Sequence, residues 1–164
     1  MPFMILGLQS AEKPFVEVDE YVPATVRWSG YARLRRAPRS FMVDAGASLV
    51  EVKTDADSGA VVEIVLVDIA SPERYEAPLT TPGRVDAGVP LVTFDDSAQD
   101  SADGVHLYRD GLRIRFSQGP ATRRVGDSEA VFSFSEIGHL VDFDVWPGLE
   151  RMALLRAVCG LGEA

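Results

Sequence analysis

Apolar positions are densest over residues 60–69, a run rich in β-branched side chains. In an extended chain Val62, Ile64 and Leu66 point to one side, and Val61, Val65, Val67 and Ile69 to the other. The pattern therefore predicts a strand that is apolar on both faces and lies in the middle of a sheet, covered above and below. Residues 49–53 alternate, and residues 54–59 supply the Asp, Ser and Gly of a hairpin loop, so these two runs are expected to pair.

The flanking segments extend the β pattern. Residues 15–22 and 24–34 read as strands, with Pro23 between them and a bend at Gly30, while residues 41–43 read as a short strand or a helical turn. Residues 1–14 show no clean period. Asp110-Gly111 is the signature of a two-residue type I′ turn, which places Arg109 opposite Leu112, Leu107 opposite Ile114 and Val105 opposite Phe116. One face of that hairpin is apolar apart from Arg109; the other carries His106, Tyr108, Arg113 and Arg115. A further hairpin sets Phe134 against Val141 and Phe132 against Phe143, with Ser133, Asp142 and Asp144 facing outward. Residues 71–90 contain Pro72, Pro78, Pro82 and Pro90 and are expected to form a surface excursion, and residues 95–104 and 117–129 to form loops. From Leu149 the period becomes helical, with Met152, Leu154, Leu155, Val158 and Cys159 on one face. The fold class is mainly β (α+β): one domain over residues 1–164, an antiparallel meander or sandwich of about eight strands built from hairpins, with one C-terminal helix.

Charge narrows the functional classes. The 25 acidic residues outnumber 16 basic ones, giving a net charge of −9. That balance disfavours nucleic acid and anionic membranes and favours a basic protein partner. No apolar run approaches the roughly 20 residues needed to cross a bilayer. The first residues lack a basic leading segment, so no signal peptide is expected. Cys159 is the lone cysteine, which excludes an intrachain disulfide framework and leaves a cytoplasmic location as the expectation.

Candidate chemistry is sparse. Asp55-Ala56-Asp57-Ser58-Gly59 has alternating oxygen ligands, but its glycine falls one position early for an EF-hand loop, and Leu66 stands where the bidentate glutamate belongs. There is no Gly-x-Ser-x-Gly element, and the histidines are His106 and His139 only. No catalytic, cofactor-binding or metal-binding residue is therefore assigned. Asp142 and Asp144 share a strand face roughly 7 Å apart, a spacing suited to acid–base work and equally to the solvated side of a half-exposed strand. Arg27, Arg33, Arg35, Arg36 and Arg39 interleave with Trp28 and Tyr31. In an acidic chain such a cluster is expected to serve ion pairing or partner docking rather than nucleic acid.

The hairpin pattern of residues 48–52, 57–60 and 63–67 resembles one found in small, uncharacterised β-rich bacterial proteins. Some proteins of that look are immunity proteins, which neutralise a cognate toxin by binding it. The resemblance covers about 20 residues of a plain hairpin and carries over no site residue. With the excess negative charge, the acidic run over residues 95–103 and the absence of a catalytic motif, the expectation is a non-enzymatic acidic binding protein, immunity-like as the resemblance implies, that neutralises a basic partner. The candidate contacts are Asp95, Asp96, Asp100, Asp103, Asp142 and Asp144. The alternative is a small-molecule-binding domain or enzyme with a pocket in the sheet near residues 71–90. Amphipathic hairpins also permit a homo-oligomer formed through an uncovered sheet face.

Overall fold

The computed structural model of the chain describes residues 3–95 and 104–160. In chain order its strands are β1 (Phe3–Gln9), β2 (Phe15–Glu17), β3 (Ala24–Arg27), β4 (Arg39–Ala45), β5 (Ser48–Thr54), β6 (Val61–Asp68) and β7 (Glu73–Arg74). There follow β8 (Asp86–Ala87), β9 (Val89–Phe94), β10 (Gly104–Leu107), β11 (Leu112–Arg115), β12 (Arg123–Gly126), β13 (Ala130–Phe134) and β14 (Leu140–Val145). The C-terminal helix α1 spans Leu149–Val158, and a 3-10 turn, Ser29–Arg33, follows β3. The mainly β fold with one C-terminal α-helix is thus as the sequence predicts.

Two large sheets and a ribbon make up the architecture. One sheet has the order β2-β3-β6-β5-β4, the other β7-β10-β11-β14-β13-β12-β8, and β1 pairs with β9. The run over residues 60–69 takes the central place in the five-stranded sheet, as its apolar density requires. The β1–β9 ribbon ties the sheets together along one side, through single bridges from Leu91 to Ala60 and from Met4 to His139.

Buried side chains from both sheets meet in one cluster. Val26, Val50, Val52, Ile64 and Leu66 come from the five-stranded sheet, and Val105, Leu107, Leu112, Ile114, Phe132 and Phe143 from the seven-stranded sheet. Trp28 packs on Phe132 and Phe143 at ring-centroid distances of 5.6 and 6.1 Å. Each large side chain buried this way contributes about 1.5–3 kcal/mol relative to exposure. The helix adds Met152 and Leu155 only; Leu154, expected on its apolar face, is exposed.

Several local expectations are corrected. The strand expected over residues 15–22 stops at Glu17, and the one over residues 24–34 gives way to the 3-10 turn after Arg27. Residues 3–9 form β1, whose period is broken by an irregularity between Ile5 and Gly7, and residues 123–126 form β12. In β6 an irregularity beside Lys53 and Thr54 brings Val61 into the core cluster with Ile64 and Leu66, while Val62 is buried against Gly30 of the 3-10 turn. β6 is covered on both sides over residues 61–64 but not at its end, where Val67 is exposed. The 104–115 hairpin pairs Val105 with Ile114 and Leu107 with Leu112, two residues out of the expected register. Side-chain faces survive that slip because it is even-numbered. The connection is correspondingly longer, closed by the Tyr108 N–H donating to the Gly111 carbonyl at 2.8 Å. Near β14, Phe134 pairs with Leu140 rather than Val141.

Candidate functional site

Each large sheet carries charged side chains across its outer face, and the two sets differ in what covers them. On the seven-stranded sheet, β11 lies beside β14 with Arg113 paired to Asp144 and Arg115 to Asp142. Arg113 donates to both carboxylate oxygens of Asp144 at 2.7 and 2.8 Å, and Arg115 Nε donates to Asp142 at 3.0 Å. Asp144 is fully buried and Asp142 is 5% exposed. The expectation that these acids face solvent is therefore corrected: they share the non-core face, but a second layer closes it.

That layer is the Pro-rich excursion. The backbone N–H of Leu79 donates to Asp110, Trp146 Nε1 donates to the Leu79 carbonyl, and Arg113 donates to the Thr80 carbonyl. Further along, the Arg109 N–H donates to the Ala77 carbonyl and the Tyr75 N–H to that of Leu107. Both ends of the excursion add a short parallel strand to the sheet, β7 beside β10 and β8 beside β12. Tyr75 stacks on Tyr108 at 4.7 Å, and its hydroxyl lies 3.1 Å from His106 Nδ1. Burial pushes the Asp144 carboxyl above its ordinary pKa, opposed by the hydrogen bonds and charge of Arg113. Hydrogen bonding to Asp144 holds Arg113 more firmly cationic than a free guanidinium. This is a closed, internally neutralised cluster.

The outer face of the five-stranded sheet is different. Its middle row runs Ser40, Lys53, Glu63, Arg27 across β4, β5, β6 and β3. Glu63 is 1% exposed and accepts from Arg27 and from Lys53, the latter at 2.8 Å. Burial works to lower the Lys53 pKa, but the hydrogen bond and charge of Glu63 hold it above the ordinary value. Tyr31 of the 3-10 turn sits over both cations, 4.5 Å from Arg27 and 5.7 Å from Lys53. Beyond that row the face lies open. Asp44 and Asp68 flank Leu49 in one register row, and Met42, Glu51, Val65, Thr25 and Glu17 form another. Met42 is 51% exposed, and Glu17, Asp44 and Asp68 are exposed without an ion pair among the described residues. The carboxylate of Asp68 also adds to burial in raising the Cys159 thiol pKa.

The acids singled out in the sequence are thus not brought together. Asp142 and Asp144 are buried, Asp95 is exposed at the end of the ribbon, and Asp96, Asp100 and Asp103 lie outside the described residues. Sequence reasoning missed Asp44, Asp68 and Glu17; alternation with Val43 and Val16 was the available signal for Asp44 and Glu17, whereas Asp68 reaches that face only through the irregularity beside Leu49. Within the arginine-rich stretch, Trp28 is a core residue, Arg27 pairs with Glu63 and Arg36 with Asp57. The excursion over residues 71–90, near which a pocket is expected, packs on the seven-stranded sheet with Leu79 buried. A pocket of about 420 Å³ lies between the end of β1, the 3-10 turn and the start of β6, and takes Val89 from that stretch. Among the described residues no group of three or more His, Cys, Asp or Glu side chains is placed to hold a metal ion. No helix among them is long and apolar enough to cross a membrane. Neither a protein-family model nor a curated protein sequence matches this chain.

Proposed function

We propose that this chain is a non-enzymatic binding protein that engages a basic partner through the outer face of its five-stranded sheet. One observation carries the reading: the acidic side chains divide into two populations. Asp142, Asp144 and Glu63 are buried and neutralised by the chain's own cations. Glu17, Asp44 and Asp68 stand exposed and unpaired on a sheet face that also presents Met42 and Val67. Unneutralised carboxylates set among exposed apolar side chains suit a partner carrying lysines or arginines around an apolar centre, steered in by the net negative charge. An immunity-like role, in which the partner is a toxin to be neutralised, is the form of this reading that the resemblance of residues 48–67 implies. A cytoplasmic setting belongs to the same proposal.

The test is capture from native lysate on the immobilised protein and on a D44K/D68K variant. The expected result is a basic protein retained by the wild type at low ionic strength, released as salt rises toward about 1 M, and not retained by the variant. Retention of the same proteins by both, or retention indifferent to salt, would count against this face.

A further inference from the structure

The pocket beside the 3-10 turn has walls of mixed charge. Arg33 lines it, as do Glu12 and Asp55, with Gln9, Ser10 and Ser29 supplying neutral polar groups. Its floor is Trp28, Ala60, Val61, Val62 and Val89, each at most 4% exposed, and Ala11 is its exposed apolar side chain. Arg33 is exposed and has no ion-pair partner among the described residues, unlike Arg27 and Arg36 nearby. Asp55 uses one carboxylate oxygen to accept from the Asp57 N–H at 2.8 Å, which fixes its side chain in the hairpin loop.

We propose that this pocket binds a small zwitterion of the amino-acid or dipeptide class. The ligand carboxylate pairs with Arg33, the ammonium lies toward Glu12 and Asp55, and the ligand's body lies over Ala11 and the aliphatic stem of Arg33, since the valines of the floor are buried. The argument is by elimination on charge. A purely anionic ligand would meet two carboxylates, and a purely cationic one would meet Arg33. A wholly apolar ligand would strip water from charged groups without replacing their hydrogen bonds, which is costly. A molecule carrying both charges with an apolar body satisfies every wall. A volume of about 420 Å³ falls within the range of small-ligand sites and accommodates a dipeptide. A planar guanidinium is also the group best matched to a carboxylate. The proposal stands independently of the partner-binding face, which lies across the outer side of the sheet.

Calorimetric titration with leucine, leucyl-leucine, N-acetyl-leucyl-leucine and leucyl-leucine amide tests it. The expected result is saturable binding of leucine or leucyl-leucine, with leucine separating the free amino acid from the dipeptide as the preferred size. Blocking either terminus is expected to weaken binding at least about tenfold, or 1.4 kcal/mol. R33M is expected to weaken leucyl-leucine equally, and E12Q/D55N, which keeps the turn hydrogen bond at position 55, likewise. Circular dichroism melts would establish that the variants are folded. Absence of binding by both leucine and leucyl-leucine at about 10 mM would overturn the proposal. So would equal affinity for the blocked and unblocked dipeptides, or wild-type affinity in folded R33M.

Discussion

Replacing Arg113 by methionine tests the closed charge cluster most sharply. The substitution keeps much of the side-chain volume but removes the cation bonded to both oxygens of Asp144, a carboxylate with no exposure. It also removes the bond to the Thr80 carbonyl that helps hold the excursion. Breaking a buried pair from one side leaves an uncompensated charge and costs about 3–5 kcal/mol, a large fraction of the 5–15 kcal/mol that holds a typical domain together. Changing both partners together, in R113M/D144L, removes the stranded charge and should cost distinctly less than R113M alone. Urea denaturation at neutral pH, followed by circular dichroism, reads both.

The pH dependence has a definite sign. A carboxyl whose pKa is raised in the folded state holds its proton more tightly there. Its contribution favours folding below the ordinary carboxyl pKa and is lost as pH rises through the folded value. Asp144 is such a group, and removing Arg113 takes away its main lowering influence. The deficit of R113M relative to wild type should therefore be greatest near neutrality and shrink as pH falls. A loss under about 1 kcal/mol, well below the range for a broken buried pair, would refute the reasoning. A deficit that grows on acidification, or a double variant as damaged as R113M, would refute it equally.

Other perturbations probe other parts of the fold. Leu66→Ala in the central strand should cost about 2–5 kcal/mol, measured by the same urea transitions. Gly59 has φ +79°, and a Cβ there would lie 2.9 Å from the Val92 carbonyl oxygen, so Gly59→Ala should cost about 1–3 kcal/mol and disturb the junction with β9. Lys53→Met leaves the buried Glu63 with Arg27 alone and should lower the unfolding free energy by about 1–3 kcal/mol, read from the urea transition. Trp146→Phe and Asp110→Ala each remove one hydrogen bond from Leu79. Both should speed limited proteolysis within residues 75–82 without unfolding the sheets, as mass spectrometry of the fragments would reveal.

The parts of this fold that could be read in the sequence were those set by local periodicity. The central strand stood out because its apolar density exceeds what a half-exposed strand needs, and the 48–68 hairpin because Asp, Ser and Gly interrupt two β-branched runs. Alternation also assigned the faces of β10 and β11 correctly while leaving their register wrong. A shift of two residues keeps every side chain on its face, so the hydrophobic pattern cannot detect it. β1 was hidden by the irregularity beside Gly7, and β12 by its Arg-Arg start between loop residues. The largest misreading, of Asp142 and Asp144 as solvated, has a tertiary cause. The arginine strip on β11 and the acidic pair on β14 were each visible. Their adjacency and the covering excursion arise from pairings across 27 to 31 residues or more. For the same reason the open acids Asp44, Asp68 and Glu17 drew no notice, since only the sheet order places them on one face.

The central claim is that folding sorts the carboxylates into a neutralised buried set and an open set available to a partner. Carbodiimide labelling of the native protein with an amine nucleophile, followed site by site by mass spectrometry, measures that sorting directly. Rapid modification of Glu17, Asp44 and Asp68, with Glu63, Asp142 and Asp144 protected until urea is added, is the predicted result. Modification of Asp142 and Asp144 at the rate of Asp44 would place them at the surface and contradict the account.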